Sequence, residues 1–401
     1  MARKKRAANT AKKVAGSPGT SSQSESKPDR PAGLKELAAY LGLAPATVSL
    51  VMNGSPVAQT IAKDTKDRII AAAKKLGYRP NFMARCLRAK RSFTIGVMTP
   101  EVSEGYNATV LSGIEDHLLQ EGYFYFVASH RFQPDLIEEY PDIFLYRSVD
   151  GLIVLNAPWH RELSVPVVTL SCHHQVKSVP SIVLDHRLAA ELALKHLWEL
   201  GHTDIAIIKG QTFTPDSDVR WNMIAEVAAE AGRPISQDLV VRIEDNVASP
   251  ELGYHVTQEL IASGKKFTAL FAFNDIAAIG AIRAIHEGGL RVPEDVSVIG
   301  FDDIDSAAYQ NPGLTTVRQP LREMGRMAAQ MVLAQIAGTA KPASGEVVVE
   351  PALIVRGTTA VARERRLSSR SATEELGSVS KEPAEVHVPD GQLLRAPVIR
   401  S

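Results

Sequence analysis

The sequence predicts an all-α helix-turn-helix unit at the front of the chain and a two-lobed α/β body behind it. Three observations carry that prediction. Two short apolar stretches flank a tight corner in "LKELAAYLGLAPATVSLVMNG", Leu34–Gly54. From Phe93 onward, short apolar strands alternate with helices. The formal charge is zero over 401 residues but divides sharply: the first 92 carry 19 Lys and Arg against 5 Asp and Glu, a net of +14, and the rest carry 26 against 40, a net of −14. A basic front ahead of an acidic body points to an anionic partner for the front alone, nucleic acid or membrane.

Leu34, Leu37, Ala38 and Leu41 stand at i, i+3, i+4, i+7 and mark a first helix with one buried face. Gly42 suits its stop. Pro45 suits the first turn of a second helix, where its missing N–H would have no partner anyway. Val48, Val51 and Met52 face inward there, so Pro45, Ala46, Ser49, Leu50 and Asn53 are expected to point outward together. A third helix is expected from Thr60 to Leu76, with Ile61, Ile69, Ala73 and Leu76 inward and Gly77 at its end. Three helices with a tight corner make a helix-turn-helix. The small, uncharged outer face of the second suits a major groove, where side chains approach base edges closely. An ordinary three-helix cap fits the spacing too; the charge favours DNA. "NFMARCLRAKRS", Asn81–Ser92, reads as a two-turn helix, marginal alone in water, or as a basic linker. The polar start of the chain and Arg363–Ser401 lack sustained apolar periods, so disordered tails are expected there. The expected organisation is a basic tail over 1–32, a DNA-binding unit over 33–79, a hinge over 80–92, a two-lobed body over 93–360 and a tail over 361–401.

In the body, "FTIGVMT", "YFYFVAS", "DGLIVLN", "VPVVTLS", "SIVLDH", "DIAIIKG", "LVVRIED", "FTALFAFND" and "VSVIGFDD" read as strands. Helices between them, such as Leu188–Leu200 and Ile276–Glu287, argue for parallel sheets covered on both faces. The stretch is long for one such sheet, hence two lobes. Ligands of open α/β sheets sit beyond the C-terminal ends of the strands. Asn274 and Asp275 end one strand, Asp302 and Asp303 another, and Arg220 follows "IAIIKG". A carboxylate, an amide and a guanidinium on one cleft suit a polyhydroxyl ligand. Helix capping by Asn274, Asp302 and Asp303, with Arg220 in a surface ion pair, fits equally well. Trp221 is read as a sugar platform or a core residue.

Several function classes lose support. No P-loop, no G-x-S-x-G, no H-E-x-x-H and no G-x-G-x-x-G after a strand occurs, so neither an enzyme nor a cofactor is expected. A solute-binding protein for transport would have no use for the basic front. "SCHHQ", Ser171–Gln175, hints at a metal, but neighbouring strand residues point to opposite faces, so Cys172, His173 and His174 are not expected to converge. No metal is expected. Cys86 and Cys172 lie far apart and imply no disulfide framework. No apolar run approaches the ~18–20 residues that span a bilayer, and no signal peptide is evident; a cytoplasmic protein without a membrane partner is expected.

The stretch "LKELAAYLGLAPATVSLVMNGSPVAQTIAKDTKDRIIAAAKKLGYRPNFMARCLRAKRSFTIGV" resembles the DNA-binding front of the LacI/GalR repressor family. "TVS", "LGYRPN", "ARCL" and "IGV" fall in family order, and the resemblance covers roughly 33–360. It implies a periplasmic-binding-protein-like core with crossovers near Val183–Asp185, Val317–Gln319 and Val349–Pro351. It also implies a homodimer, double-stranded operator DNA, and a small-molecule effector of the sugar class. By that resemblance Pro45, Ala46 and Leu50 read bases, Thr47, Ser49 and Asn53 hold phosphates, and Tyr78 and Asn81 position the junction. In the hinge helix Leu87 matches the minor-groove wedge, Ala84 allows close helix approach, and Arg85 and Arg88 lie near phosphates. Arg220, Asn274 and Asp302 align with effector contacts, Tyr106 in "GYN" would stack on the ligand, and Ser171 is another cleft-facing strand end. Two features depart from the family pattern in the front. Ala44 replaces the usual serine cap, typically worth ~1 kcal/mol, and Pro45, Ala46 and Leu50 offer bases no side-chain hydrogen bond. In the body, Met223 stands where the family often has glycine, and is expected to reshape the pocket floor.

Overall fold

The computed structural model describes residues 32–78, 86, 90–103, 105–173, 176, 178–244, 249–339 and 345–363. The chain divides between Ala89 and Lys90 into two units. The first contains α1 (Leu34–Leu41), α2 (Pro45–Met52), a 3-10 turn (Pro56–Thr60) and α3 (Lys63–Lys75). Leu37, Ala38, Val48, Ile69, Ala72 and Ala73 form its core. Gly42 stops α1 in the left-handed region, at φ 65°. Ala44 gives α2 no side-chain cap. The third helix starts at Lys63, not Thr60, because Pro56 opens a 3-10 turn and Ile61 and Ala62 are non-helical. Asp64 in its first turn and Lys74 and Lys75 in its last complement the helix dipole.

The second unit begins with β1 (Thr94–Thr99), α4 (Tyr106–Gln120), β2 (Phe124–Ser129), α5 (Pro134–Tyr146), β3 (Gly151–Leu155), β4 (Val167–Leu170) and β5 (Ser181–Leu184). After Asp185 the chain enters a second lobe. It runs through α6 (His186–Glu199), β6 (Ile205–Lys209), α7 (Pro215–Glu230), β7 (Val240–Arg242), α8 (Pro250–Ala262), β8 (Ala269–Ala272), α9 (Asp275–Glu287), β9 (Ser297–Asp302), α10 (Asp305–Ala308) and β10 (Thr315–Arg318). It returns after Gln319 for α11 (Leu321–Ala337) and β11 (Glu346–Val349), and crosses again at Glu350–Pro351 to β12 (Ala352–Ile354). The sheets have orders β11-β5-β4-β3-β1-β2 and β12-β10-β9-β8-β6-β7. Among the described residues every strand pairing is parallel except β10 with β12. The three passages between sheets fall where the family resemblance put them.

Parallel sheets covered by helices bury both faces, and β1, β3, β4, β5, β8 and β9 are buried throughout. That is why these strands read as continuous apolar runs. The last three strands were not legible. β10 is "TTVR", β11 is a partly exposed "EVVV" edge, and β12 is three residues after a proline.

Both lobes use the same device to seat a helix pair. A Cβ at Gly113 on α4 would stand 1.9 Å from Arg322 O, and one at Gly325 on α11 2.0 Å from Val110 O. In the second lobe a Cβ at Gly253 on α8 would stand 2.1 Å from Ala277 O, and one at Gly280 on α9 1.8 Å from Pro250 O. Gly280→Ala therefore forces the helices apart. Overpacking costs about 1–3 kcal/mol and occasionally more, and rigid backbone as the obstacle places this case at the top of that range. Urea unfolding of the variant is expected to show a clearly lowered midpoint; an unchanged midpoint would contradict the close approach.

Candidate functional site

Two surfaces bear on function, one in each unit. On α2, Pro45, Ala46 and Asn53 are exposed and Thr47 and Leu50 half-buried. Leu50 is not among the residues packed on the three-helix core. Ser49 departs from the expected outward stripe. It is 9% exposed, and the Asn53 Nδ2 donates to its carbonyl at 2.7 Å and to its Oγ at 3.1 Å. At about 100° per residue, Ser49 falls beside Met52 on the rim of the buried face. Tyr78 is half-buried against the same core. Asn81, Ala84, Arg85, Leu87 and Arg88 lie outside the described residues, as do residues 1–31 and 364–401.

In the second unit, the C-terminal strand ends of the two lobes face a cavity of about 740 Å³. Tyr106, Arg220, Asn274 and Asp302 all line it. Ser171 does not: it sits behind Tyr106, sharing a 2.6 Å hydrogen bond between its Oγ and the tyrosine hydroxyl. Burial, the negative charge of Asp216 beside it and lesser acidic neighbours raise the Tyr106 phenol, so it remains protonated.

The strand-end carboxylates and the guanidinium resolve differently. Arg220 is 4% exposed and is no surface ion pair. Its guanidinium lies 3.5 Å from the Phe301 ring centre and 4.5 Å from that of Phe273, and donates to Phe273 O. Two aromatic faces hold a desolvated cation in this way. Burial lowers the Arg220 pKa, with Asp302 and Asp216 opposing. Asp302 caps no helix: its Oδ1 accepts from Gln319 Nε2 at 2.6 Å, on the second passage between lobes. Burial pushes its carboxyl up to about 7, with Arg220 and Gln319 pulling against it. Asn274 serves both readings, since its Oδ1 caps α9 by accepting from Ala277 N at 2.8 Å while the residue lines the cleft. Asp303 instead pairs with Arg318 at 2.7 Å and Arg356 at 2.6 Å. Asp275 is buried beneath the cleft, accepting from Ile304 N and Thr316 Oγ1, and burial raises its pKa well above the carboxylate range. Trp221 and Met223 pack on the core of the second lobe and do not line the cavity, so Met223 does not shape its floor.

Several lining residues were missed from sequence: Asn107, Arg131, Phe132, Asn156, Gln211 and Asp216. Most follow a strand, so applying the strand-end rule to every strand rather than three would have found them. Asp216 stands one helical turn before Arg220, its Oδ2 3.9 Å from Arg220 Nη2. Burial opposes its charge, yet His186, His173 and Arg220 prevail and hold it well below the usual carboxylate range. Arg131, Phe132, Asn156, Ser171, Asp302 and Asp303 adopt positive φ, the left-handed conformation that non-glycine residues rarely hold. Such outliers cluster at ligand sites. Asn107 Oδ1, Asn156 Oδ1 and Arg220 Nε are buried without a hydrogen-bond partner.

Comparisons with known proteins identify the family. Residues 33–81 match the model of bacterial regulatory proteins, lacI family, and residues 194–359 match a periplasmic binding protein-like domain. The HTH-type transcriptional repressor PurR of Haemophilus influenzae is 32% identical over 314 residues, covering 76% of this chain and 91% of that protein. The lac repressor dimer bound to operator and the anti-inducer ONPF superposes with a TM-score of 0.73 at 28% identity, covering 82% of this chain and 100% of that one. A complex of the transcriptional regulator CelR with cellobiose gives a TM-score of 0.60 at 28% identity, covering the same shares. These relatives are regulators rather than enzymes, and the chain belongs to the lacI family of bacterial regulatory proteins.

Proposed function

We propose that this chain is a homodimeric transcriptional repressor of the cytoplasm whose operator affinity is set by a carbohydrate effector held between the lobes of its body. The observation that carries the effector assignment is the polar lining of the cleft. Asp302, Arg220, Asn274 and Tyr106 stand around it with Asn107 and Asn156. Paired acceptors and donors on several walls are what a polyol needs. The cellobiose complex of a structural neighbour supports the same class. Self-association is supported by the apolar surface along edge strand β2, where Phe124 is 59% exposed and Phe126 and Val127 are also exposed. Among the described residues no single helix is long and apolar enough to cross a bilayer.

A thermal-shift screen on the full chain tests the effector class, with mono- and disaccharides set against nucleobases and nucleosides. Stabilisation by a sugar that is lost in Arg220→Ala is the expected result. Stabilisation by a heterocycle alone would overturn the carbohydrate assignment.

For the DNA, Pro45, Ala46 and Leu50 are the base readers on α2, with Thr47 and Asn53 at phosphates and Leu87 as the hinge wedge. Ser49 supports Asn53 from behind. Leu50→Arg adds a bidentate donor suited to guanine, a contact worth ≈ 1–3 kcal/mol of discrimination. Selection from a random duplex library is expected to return different preferred sites for the two proteins; identical sites would rule out Leu50 as a reader.

A further inference from the structure

We infer that His173, His186 and Asp216 form a site for one divalent transition-metal ion of the zinc or cobalt class, tying the two lobes beside the effector cleft. The three residues come from three parts of the chain. His173 follows β4 in the first lobe, His186 opens α6 at the first passage into the second lobe, and Asp216 lies in the first turn of α7. One ligand atom from each lies within 4.8 Å of the others. His173 Nε2 is 2.8 Å from Asp216 Oδ1, and His186 Nε2 is 3.5 Å from the same oxygen. Around a tetrahedral ion with bonds of about 2.0–2.1 Å, ligand atoms sit roughly 3.3 Å apart. Small side-chain rotations therefore reach that geometry.

The second observation is His186 itself. Its side chain is 2% exposed, and neither ring nitrogen makes a hydrogen bond, although Nε2 stands 3.5 Å from Asp216 Oδ1. A buried, unbonded imidazole aimed at a carboxylate and a second imidazole calls for an occupant. Two imidazole nitrogens and one carboxylate oxygen are the donor set of zinc and its neighbours, not of calcium or magnesium. His173 Nδ1 stands 3.6 Å from Glu346 Oε1 on β11, and its Nε2 hydrogen-bonds Asp216 Oδ1 at 2.8 Å, a bond that the ion would replace. Asp216 and Glu346 supply two negative charges for a dication.

Cys172 and His173 diverge, the cysteine Sγ turning to Leu170 O at 3.1 Å and Ala157 N at 3.4 Å in the core. The partners of His173 come instead from residues far along the chain. Asp216 links the site to the cleft, since its Oδ1 faces the histidines and its Oδ2 faces Arg220.

The test is cobalt titration of the metal-free full chain, followed by visible absorption, with the melting temperature read in parallel. The expected result is one Co²⁺ per chain with the intense bands of a four- or five-coordinate ion, displaced by Zn²⁺, and a raised melting temperature. His173→Gln and Asp216→Asn are each expected to weaken binding by more than about tenfold; the exposed His160→Gln is expected to leave it unchanged. His173 is partly exposed at a strand end, so its variant probes the site without emptying the core. Absence of the bands in the parent protein would overturn the inference, and so would binding that both site variants retain. In either case the cluster is a hydrogen-bonded charge pair without an ion.

Discussion

Asp302→Asn is expected to leave operator affinity at the parent level and to cut effector affinity by about thirtyfold. Asparagine keeps the Oδ1 that accepts from Gln319, so the passage between lobes retains its bond. What it loses is charge: a hydrogen bond to an ionised group is worth about 1.5–3 kcal/mol, and each 1.4 kcal/mol is tenfold. The pH dependence gives a second signature. The carboxyl sits at about 7 in the empty cleft, and ligand hydroxyls donating to it favour the ionised form. Effector affinity of the parent should therefore rise as pH increases through about 7 and flatten above it, whereas that of the variant should stay level. The stability of the empty protein should move the other way. A carboxyl raised on folding contributes stability below its unfolded value, and that contribution is lost as pH rises through about 7. Calorimetric titration across neutral pH measures the first effect and thermal melts the second. Parallel profiles for parent and variant would remove Asp302 from the site.

The other large effect is on DNA. The net of +14 over the first 92 residues leads us to expect a strong contribution from phosphate contacts. Affinity should fall by about 0.9 log units per log unit of salt for each phosphate neutralised, or roughly a thousandfold between 50 and 200 mM salt for six contacts. Removing residues 1–30 should weaken non-specific binding and spare the preference for the operator, if base reading resides on α2 as proposed. Anisotropy titrations over a salt series measure both quantities; a flat series would contradict the electrostatic assignment.

The sequence carried the fold well where one physical rule dominated. Strands buried on both faces read as apolar runs, and the corner at Gly42 and Pro45 is local chemistry. It carried less where tertiary context decides. Nothing in "TTVR" or "EVVV" outweighs their polar or edge character, and only the sheet makes them strands. Ser49 shows the same limit on one helix, since a residue at the border of two faces is placed by its neighbours. At the cleft, Asn274 and Asp302 were legible as strand-end residues, and Tyr106 and Arg220 as residues of the helices that follow strands, with the family order behind them. Asp216 was not, because its meaning depends on His173 and His186, which sequence distance hides.

The central claim is that a ligand in the cleft changes the affinity of the front unit for DNA. A ligand can shift that equilibrium only by its differential affinity for the two states, so the coupling is directly measurable. The decisive measurement is the dissociation constant of the full chain for its selected operator, with and without saturating effector. A coupling of 1–3 kcal/mol corresponds to about 5–150-fold, and a shift in that range, absent in Asp302→Asn at the same ligand concentration, is what the structure leads us to expect. Superimposable isotherms with the cleft demonstrably occupied would contradict it.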